Sequence, residues 1–569
     1  MWLASVLPGV AVARSYQREW LWRDLLAGLA LTAFLVPQGI AYAELAGLPP
    51  VTGLYATLIP LLVYAAAGPS RILVLGPDSA LAPLVAATVI PLAGDDSAER
   101  IALASLLAVL AGGLLLAGAV ARLGFLTDLL SKPVRIGYLA GIAFLVLIEQ
   151  LPELLGYEPE SGNLLDDIAG LIKGLDDIDP DTALIGILCL VIIIEARRLS
   201  GAMPGVLVAV VGATLLVEGL DLEVAVIGPV PGGLPSPAIP TPSVDDAGRL
   251  TLGAVAIALL AFADTSVLSR SYASRLGERV DQSHELAALG AANVAAGLFH
   301  GFPISSSSSR TPVAESAGSR TQLTGVVAAA ALAAVLVAGT GLLHGIPLAA
   351  LAAVVIAAVI RLVDLSALRS LLQTNRADFT LAVVSFLGVA VFGILAGVGI
   401  AIGLSVLALL ERAWHPYSAV LGRVSGLQGY HDQVRHPEGR QVPGLLIFRF
   451  DAPLFFANAE VFRDAVHRAL ASAPSRIARV TVAAEPITDV DSTAADTLVG
   501  LLDDLDRQGI EFSFAEIKGP VKDKLQRYGI YERIGEEQFY RTIGEAVHKY
   551  VEEKGVDWRD WEDEEEERN

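Results

Sequence analysis

The sequence is poor in cysteine and in charged residues. Its single cysteine, Cys189, lies inside an apolar run, so the chain can form neither a disulfide framework nor a thiolate metal site. Charged residues make up 18% of the chain, whereas an average soluble domain has about 25%. The mean hydropathy is +0.58. The composition therefore indicates a membrane protein.

Enzymatic signatures are also missing from the sequence. No glycine-rich phosphate loop follows a predicted strand, and the eight histidines are scattered along the chain. We therefore expect neither an enzyme nor a bound metal or cofactor. The formal net charge of −21 disfavours a nucleic-acid partner. The N-terminus lacks a basic stretch followed by a cleavage site, so residues 1–24 are predicted to form a cytoplasmic arm rather than a secretory signal.

Apolar runs recur between about residues 25 and 411, and each is long enough to cross a bilayer core of roughly 30 Å. They predict a mostly α-helical membrane protein with fourteen spans. The first seven lie near residues 25–43, 51–67, 76–91, 101–121, 134–152, 181–197 and 203–217. The second seven lie near residues 251–268, 285–299, 303–317, 323–343, 347–361, 378–392 and 394–411.

The distribution of Arg and Lys predicts how the spans are oriented. With the N-terminus inside, the inward loops carry most of the basic residues, whereas the outward loops contain only Arg100, Lys173 and Arg249. Both ends are therefore predicted to be cytoplasmic. Because seven is odd, the halves near residues 25–217 and 251–411 must have opposite orientations, which is the arrangement of inverted-repeat transporters.

Two corresponding spans, the third and the tenth, contain helix breakers. The third opens with "LGPDSALAPLVAA" and the tenth with "GFPISSSSSRTPVAE", so both begin with glycine, proline and small polar residues. Short, interrupted spans in matching positions of two repeats predict a binding site at the membrane midplane.

The tenth span carries a basic residue, Arg310, in an otherwise apolar setting. Ionisable groups at membrane depth are costly and mark functional sites. If a helix begins near Ser308, its free N–H groups, the serine hydroxyls and the guanidinium would together form a cradle for an anion. The alternative is a surface loop in which Arg310 reaches the membrane interface.

An acidic residue, Asp264, lies inside the eighth span. Its carboxylate is predicted to couple transport to a cation by taking up a proton or by a purely electrostatic effect. Sodium is less favoured because Leu268, one turn onward, offers no oxygen ligand. The alternative is that Asp264 is a structural partner of Arg270 or of a helix end.

The first span contains a polar pair beside a proline. Pro37 kinks the helix, and Gln38 and Tyr42 lie one turn apart on the same face, which would suit the wall of a polar cavity. A simple packing kink is the alternative. In the third span, Asp78 is expected to cap the half-helix rather than contact an anion directly.

After residue 412 short strand patterns alternate with amphipathic helix patterns, which predicts a small cytoplasmic α/β domain. We divide this part of the chain into a linker (412–440), the α/β domain (441–554) and an acidic tail (555–569). Residues 25–411 form the transport domain.

The blocks "VPQGIAYAELAGLPPVTGLYA" and "SSSSSRTPVAESAGSRTQLTG" and the "GP" opening of the third span resemble the SulP family of anion transporters. That family carries a C-terminal STAS domain, and the resemblance extends over roughly residues 15–550. It implies a nucleobase-transporter-like fold with core and gate domains, an elevator motion and a homodimer. It also implies that the anion pocket includes Gln38, Tyr42, Pro77, Asp78, Ser79, Ala80, Ser307, Ser308, Ser309 and Arg310, with Asp264 as the coupling acid.

The α/β domain contains "DVDSTAADTL" where a strand meets a helix. By resemblance to sigma-regulator domains, Ser492 is a possible phosphorylation switch. Capping of the helix by Asp491 or Ser492 is the simpler alternative.

The sequence thus predicts a secondary active transporter in the inner (plasma) membrane, surrounded by lipid, for a small anion. Sulfate is the first choice, followed by bicarbonate or a dicarboxylate. Transport would be coupled to protons or would exchange one anion for another. A passive anion channel and a membrane-anchored STAS signalling scaffold are the rival classes, and a nucleobase carrier is a rival in substrate.

Overall fold

The computed structural model describes residues 8, 9, 12, 15–122, 131–157, 164–174, 177–199, 205–240, 244–277, 280–307 and 310–559. The chain divides into two compact units, Met1–Ser405 and Val406–Asn569. In the described part of the chain, seven helices are long and apolar enough to cross a membrane. Their main-chain polar groups bond within the helix, as a lipid environment requires.

The first unit repeats one order of elements, and each of the fourteen predicted spans overlaps a helix. The first repeat contains α1 (Arg18–Leu45), α2 (Pro50–Ala67), β1 (Leu75–Gly76), α3 (Ala82–Ala93), α4 (Ser97–Val120), α5 (Lys132–Leu155), α6 (Leu164–Lys173), α7 (Pro180–Leu199) and α8 (Gly205–Leu220). The second contains α9 (Val244–Leu276), α10 (Gln282–Leu298), β2 (Ser305–Ser306), α11 (Arg310–Ser316), α12 (Leu323–Ala338), α13 (Leu348–Val359), α14 (Leu365–Thr374), α15 (Arg376–Phe392) and α16 (Ile394–Trp414).

The helices of the two repeats pack into a core domain and a gate domain. In the core domain α4 packs along α10, and α1 packs on α2 and α12; in the gate domain α5 packs against α15, α13 and α7. Glycines allow the close approaches. A Cβ on Gly290 would lie 2.9 Å from the carbonyl oxygen of Gly112, and one on Gly137 would lie 2.0 Å from that of Ala382. The backbones of these helix pairs are therefore in direct contact.

The two interrupted spans meet in the core domain. Strand β1 pairs antiparallel with β2, so that Leu75 lies opposite Ser306 and Gly76 lies opposite Ser305. Each strand leads into a half-helix, α3 or α11. The structure therefore joins the two segments whose matching breaks were noted in the sequence.

The second unit contains a six-stranded sheet. In the order in which they lie side by side, its strands are β4 (Tyr430–Asp432), β3 (Ser418–Arg423), β5 (Leu445–Phe450), β6 (Arg479–Ala483), β7 (Glu511–Ala515) and β8 (Phe539–Tyr540). Strands β5 to β8 are parallel, and β3 is antiparallel to both of its neighbours. The helices are α17 (Ala459–Ala471), α18 (Ser492–Gln508), α19 (Gly519–Arg527), α20 (Ile530–Ile534) and α21 (Ile543–Lys554).

Two strands and one aromatic residue outside the predicted α/β domain, residues 441–554, belong to this unit. Strands β3 and β4 lie within the predicted linker, residues 412–440, yet they extend the sheet. Short edge strands have a weak sequence pattern, and only pairing with β5 gives them regular structure. At the other end, Trp558 of the predicted tail packs against the cluster formed by β3, β5 and α21, and its ring lies 5.1 Å from the guanidinium carbon of Arg440.

Candidate functional site

The start of half-helix α3 is shaped by Asp78. The Asp78 carboxylate accepts a 3.0 Å hydrogen bond from the N–H of Ala80. Its main-chain carbonyl accepts from the N–H groups of Leu81 and Ala82 at 3.2 and 2.9 Å. The preceding Pro77 has no N–H to donate. Asp78 is buried, and its carboxylate bonds to a main-chain N–H in the turn before α3. The N-cap residue of α3 itself is Leu81, which provides no side-chain cap, so Asp78 does not occupy the capping position expected from the sequence.

Arg310 joins the two repeats at their breaks. Its side chain is 1% exposed, and its Nη2 donates 3.0 Å hydrogen bonds to the carbonyl oxygens of Gly76 and Ser305. Its Nη1 donates to the carbonyl oxygen of Pro77. Among the described residues no acceptor lies in hydrogen-bond range of the Arg310 Nε. The guanidinium therefore bridges the two strands, and in the described part of the chain its Nε has no acceptor.

The polar pair of the first span faces the same break. The Gln38 Nε2 donates a 3.0 Å hydrogen bond to the Tyr42 hydroxyl, and both side chains are buried. Tyr42 also interacts with the Ser79 hydroxyl and electrostatically with Asp78 and Arg310. Helix α1 thus closes one side of the region between the half-helices.

The serine run contributes small buried groups. Ser307 is 5% exposed, and the neighbouring Ser306 hydroxyl is buried without a hydrogen-bond partner among the described residues. Ser308 and Ser309, which the sequence also assigned to the pocket, lie outside the described residues. Pro77, Ser79 and Ala80 are placed at the break as predicted.

Asn293 of α10 holds strand β2, and sequence reasoning missed it. Its side-chain amide accepts a 2.9 Å hydrogen bond from the N–H of Ile304 and donates a 3.0 Å bond to the carbonyl of Ile304. Thr265 of α9 accepts a 3.2 Å bond from the N–H of Ser306. The outer edge of β2 is thereby satisfied inside the membrane, where an unpaired backbone group is costly. A lone amide within an apolar span was the available sequence signal.

Asp264 lies on α9 beside the Thr265 contact with β2 and is half-buried. Its carboxylate interacts electrostatically with Asp78 and Arg135. Arg270, the structural partner considered from sequence, donates a 2.9 Å hydrogen bond to Ser266. The Asp264 carboxylate is therefore near enough to Asp78, at the break between the half-helices, to interact with it electrostatically.

Tyr138 is a second residue that the sequence did not reveal. It lies on α5 of the gate domain, is 1% exposed, and interacts electrostatically with Asp264 and Asp78 of the core domain. Its hydroxyl is buried with no hydrogen-bond partner in the described part of the chain. A tyrosine in an apolar span is normally packing material, so the sequence alone gave no reason to select it.

A separate acid, Glu285 of α10, is fully buried in the core domain. The Tyr64 hydroxyl donates to its Oε1 at 2.5 Å, and the Ser269 hydroxyl donates to its Oε2 at 2.6 Å. These bonds tie together α2, α9 and α10. The described residues contain no group of three or more His, Cys, Asp or Glu side chains that could hold a metal ion.

In the second unit, Asp491 caps α18. Its carboxylate accepts from the N–H of Ala494 at 2.8 Å and from that of Phe456 at 2.8 Å. Ser492 is exposed at the first position of the helix. Close by, a hydrogen bond from Lys524 holds the pKa of Asp489 below its usual value. The capping interpretation of Asp491 is confirmed, and Ser492 stays accessible for modification.

The fold and the site define a membrane transporter built from two inverted repeats, whose broken helices meet in a core domain, and a small α/β domain. Within that class, the chain belongs to the sulfate permease family, whose sequence pattern matches residues 21–385 of this chain. A STAS domain matches residues 436–546. The family assignment made from the sequence is thus confirmed.

Similar proteins come from bacteria, plants and animals. A Mycobacterium tuberculosis protein named "Probable sulfate transporter" is 40% identical over 550 residues, covering 96% of this chain and 98% of the relative. Arabidopsis thaliana "Sulfate transporter 4.1, chloroplastic" is 29% identical, and the match covers 98% of this chain and 84% of the relative. Human "Solute carrier family 26 member 6" is 33% identical over 477 residues, and the match covers 79% of this chain and 63% of the relative.

Two solved structures share the fold. The murine Slc26a9 anion transporter has a TM-score of 0.88 at 22% identity and covers 96% of this chain and 94% of its own. The transmembrane domain of the cyanobacterial bicarbonate transporter BicA has a TM-score of 0.59 at 23% identity, and the match covers 69% of this chain and 98% of that domain. These similarities concern the fold.

Proposed function

We propose that the protein is a secondary active transporter of a small anion, with sulfate as the first choice and bicarbonate or a dicarboxylate next. The observation that carries this proposal is the position of Arg310, a buried cation at the point where the two broken helices meet, whose Nε has no acceptor among the described residues. Half-helix ends and a guanidinium attract oxyanions. The name of the relative that is 40% identical favours sulfate.

Gln38, Tyr42, the turn from Pro77 to Ala80, and the serines before Arg310 form the proposed anion pocket. All belong to the core domain, whereas Tyr138 reaches it from the gate domain. A pocket held mainly by one domain suits an elevator mechanism, in which the core domain carries the anion across the membrane past the gate domain. The tight helix pairs within each domain would keep it rigid during that motion.

Coupling is assigned to Asp264. A half-buried acid near the pocket can take up a proton when an anion enters, because neutralising the carboxylate removes a repulsion. We favour proton symport, with anion exchange as the alternative, over sodium coupling. We further propose a homodimer in the plasma membrane with both termini in the cytoplasm, and we consider Ser492 a regulatory phosphorylation site.

Transport by reconstituted protein is the decisive experiment. Proteoliposomes should take up labelled sulfate, bicarbonate or fumarate in a saturable way, and an inward proton gradient should stimulate uptake. Large single-channel currents would instead indicate a passive anion channel. If no anion were taken up but deletion of residues 430–569 abolished a cellular response, the signalling scaffold would be favoured. Uptake of a nucleobase alone would refute the anion pocket.

A further inference from the structure

Asp78 lies in the turn that leads into α3, at the position where we propose that the anionic substrate binds. A helix N-terminus attracts negative charge through its free N–H groups and its dipole. In this protein the Asp78 carboxylate already accepts the N–H of Ala80 at 3.0 Å, and the side chain is only 8% exposed. The chain therefore supplies an internal anion at the position that is proposed to receive an external one.

The charges around Asp78 come from several elements. The charged and titratable groups that interact with it, directly or through Asp264, are Arg310 on α11, Tyr42 on α1, Asp264 on α9, Tyr138 and Arg135 on α5, and Arg361 after α13. Of the arginines, Arg310 is buried, Arg135 is half-exposed and Arg361 is exposed. One buried guanidinium would face two carboxylates and a divalent anion, which is unfavourable at low dielectric.

Two donors beside Asp78 await an acceptor. The Nε of Arg310 and the hydroxyl of Tyr138 are buried and have no partner among the described residues. Buried donors normally find a partner. An oxyanion has enough oxygens to accept from both, whereas the carboxylate in the present arrangement bonds to neither.

We propose that Asp78 is a proton-binding residue of the transport cycle, and that an oxyanion enters the pocket as Asp78 takes up a proton. This proposal rests on the proposed function of the site. The proton adds to a carboxylate oxygen, and the carbonyl oxygen of the neutral acid still accepts the N–H of Ala80. The positive end of α3 and the charge of Arg310 then act on the substrate. Asp264 is the second proton site, so each acid contributes one proton.

The direction of the pH effect follows from linkage. Because bound anion favours protonated Asp78, affinity is high at low pH and is lost as the pH rises. Each linked proton weakens binding by about tenfold per pH unit where the acid is ionised in the free protein. Sulfate is a suitable probe because it does not itself titrate near neutral pH.

The test is calorimetric titration of the purified full-length protein with sulfate over a range of pH, in buffers of different ionisation heat, to count protons taken up per anion. Asp78→Asn keeps the acceptor for Ala80 and removes the charge. It should lose one linked proton relative to wild type and bind sulfate at least tenfold more tightly at alkaline pH. Asp264→Asn should lose the second of the two linked protons. Glu285→Gln removes a buried carboxylate elsewhere in the core domain and should keep the wild-type proton number.

An Asp78→Asn variant that keeps the wild-type proton number would overturn the proposal, while the proposed anion transport would stand. A folded Asp78→Asn variant that binds no sulfate at any pH would also overturn the proposal. If the variant does not fold, infrared difference spectra of the Asp264→Asn variant, which lacks the other proposed proton site, decide: sulfate should still produce a protonated carboxyl band, and the absence of this band would exclude protonation of Asp78. A wild type that binds none of sulfate, bicarbonate or fumarate would remove both proposals.

Discussion

The Nη2 of Arg310 donates a 3.0 Å hydrogen bond to the carbonyl oxygen of Gly76. The first of these residues begins the half-helix of the second repeat, and the other ends the strand of the first repeat. A charged side chain therefore joins the two inverted repeats at the point where both backbones leave helical geometry. The same group can attract an anion and satisfy the carbonyls that the breaks expose.

Replacement of Arg310 by lysine is expected to impair both roles. A single ammonium keeps the positive charge but cannot reproduce the planar geometry that reaches Gly76, Pro77 and Ser305 together. We expect uptake to fall by at least about tenfold, which corresponds to roughly 1.4 kcal/mol, together with a lower melting temperature. Arg369→Lys, at an exposed position on α14, is the matched control. Wild-type uptake by the Arg310 variant would show that the guanidinium geometry is dispensable.

Replacement of Asp264 by asparagine should reduce the stimulation of uptake by an inward proton gradient. The amide has nearly the same shape but cannot exchange a proton in this pH range. Initial uptake rates in proteoliposomes, with and without the gradient, provide the measurement. If the variant responds to the gradient as strongly as wild type, coupling must reside on other groups.

Tyr138→Phe should weaken anion binding with little effect on stability. The hydroxyl has no partner among the described residues, so its removal leaves none of their polar groups unpaired. A hydrogen bond to a charged ligand contributes roughly 1.5–3 kcal/mol, so we expect the half-saturating anion concentration to rise by at least about tenfold.

Tyr157→Phe is the control for Tyr138, because Tyr157 also has a buried hydroxyl without a partner among the residues that the structure describes. It follows the end of α5 at Leu155, which is roughly 26 Å from Tyr138 at 1.5 Å per residue. Equal effects of the two substitutions would argue against a role for Tyr138 in the pocket.

Asn293→Ala should destabilise the core domain. The substitution leaves both the N–H and the carbonyl of Ile304 without their partner, at a cost of about 2–4 kcal/mol. A lower melting temperature and slower uptake are expected, since β2 precedes Arg310. Asn293→Asp keeps an acceptor for the N–H of Ile304, but it loses the donor and places a carboxyl group inside the membrane, so it should also be less stable than wild type. Stability equal to wild type in both variants would mean that β2 does not depend on this amide.

Much of the first unit was predictable because apolarity and loop charge respond directly to the membrane. Each of the fourteen predicted spans falls on a helix, and the breaks at Pro77 and Pro303 coincide with the strands that separate helical segments. Strands β3 and β4 were not found, because they are stabilised by pairing with β5 and not by a pattern of their own. Asn293 and Tyr138 were missed because an amide and a phenol in a span have many uses, and only their neighbours distinguish them.

The sequence alone determined the number of spans, the two repeats and the presence of a buried arginine at the second break, since these follow from composition and spacing. The tertiary structure decided which atoms that arginine contacts. It also brought Asp78, Asp264 and Tyr138 close enough to interact electrostatically. These residues are far apart in the chain, because Asp78 lies just before α3, Asp264 lies on α9 and Tyr138 lies on α5. Hydrogen bonds and electrostatic interactions depend on distances of a few ångströms, and packing across the repeats sets those distances.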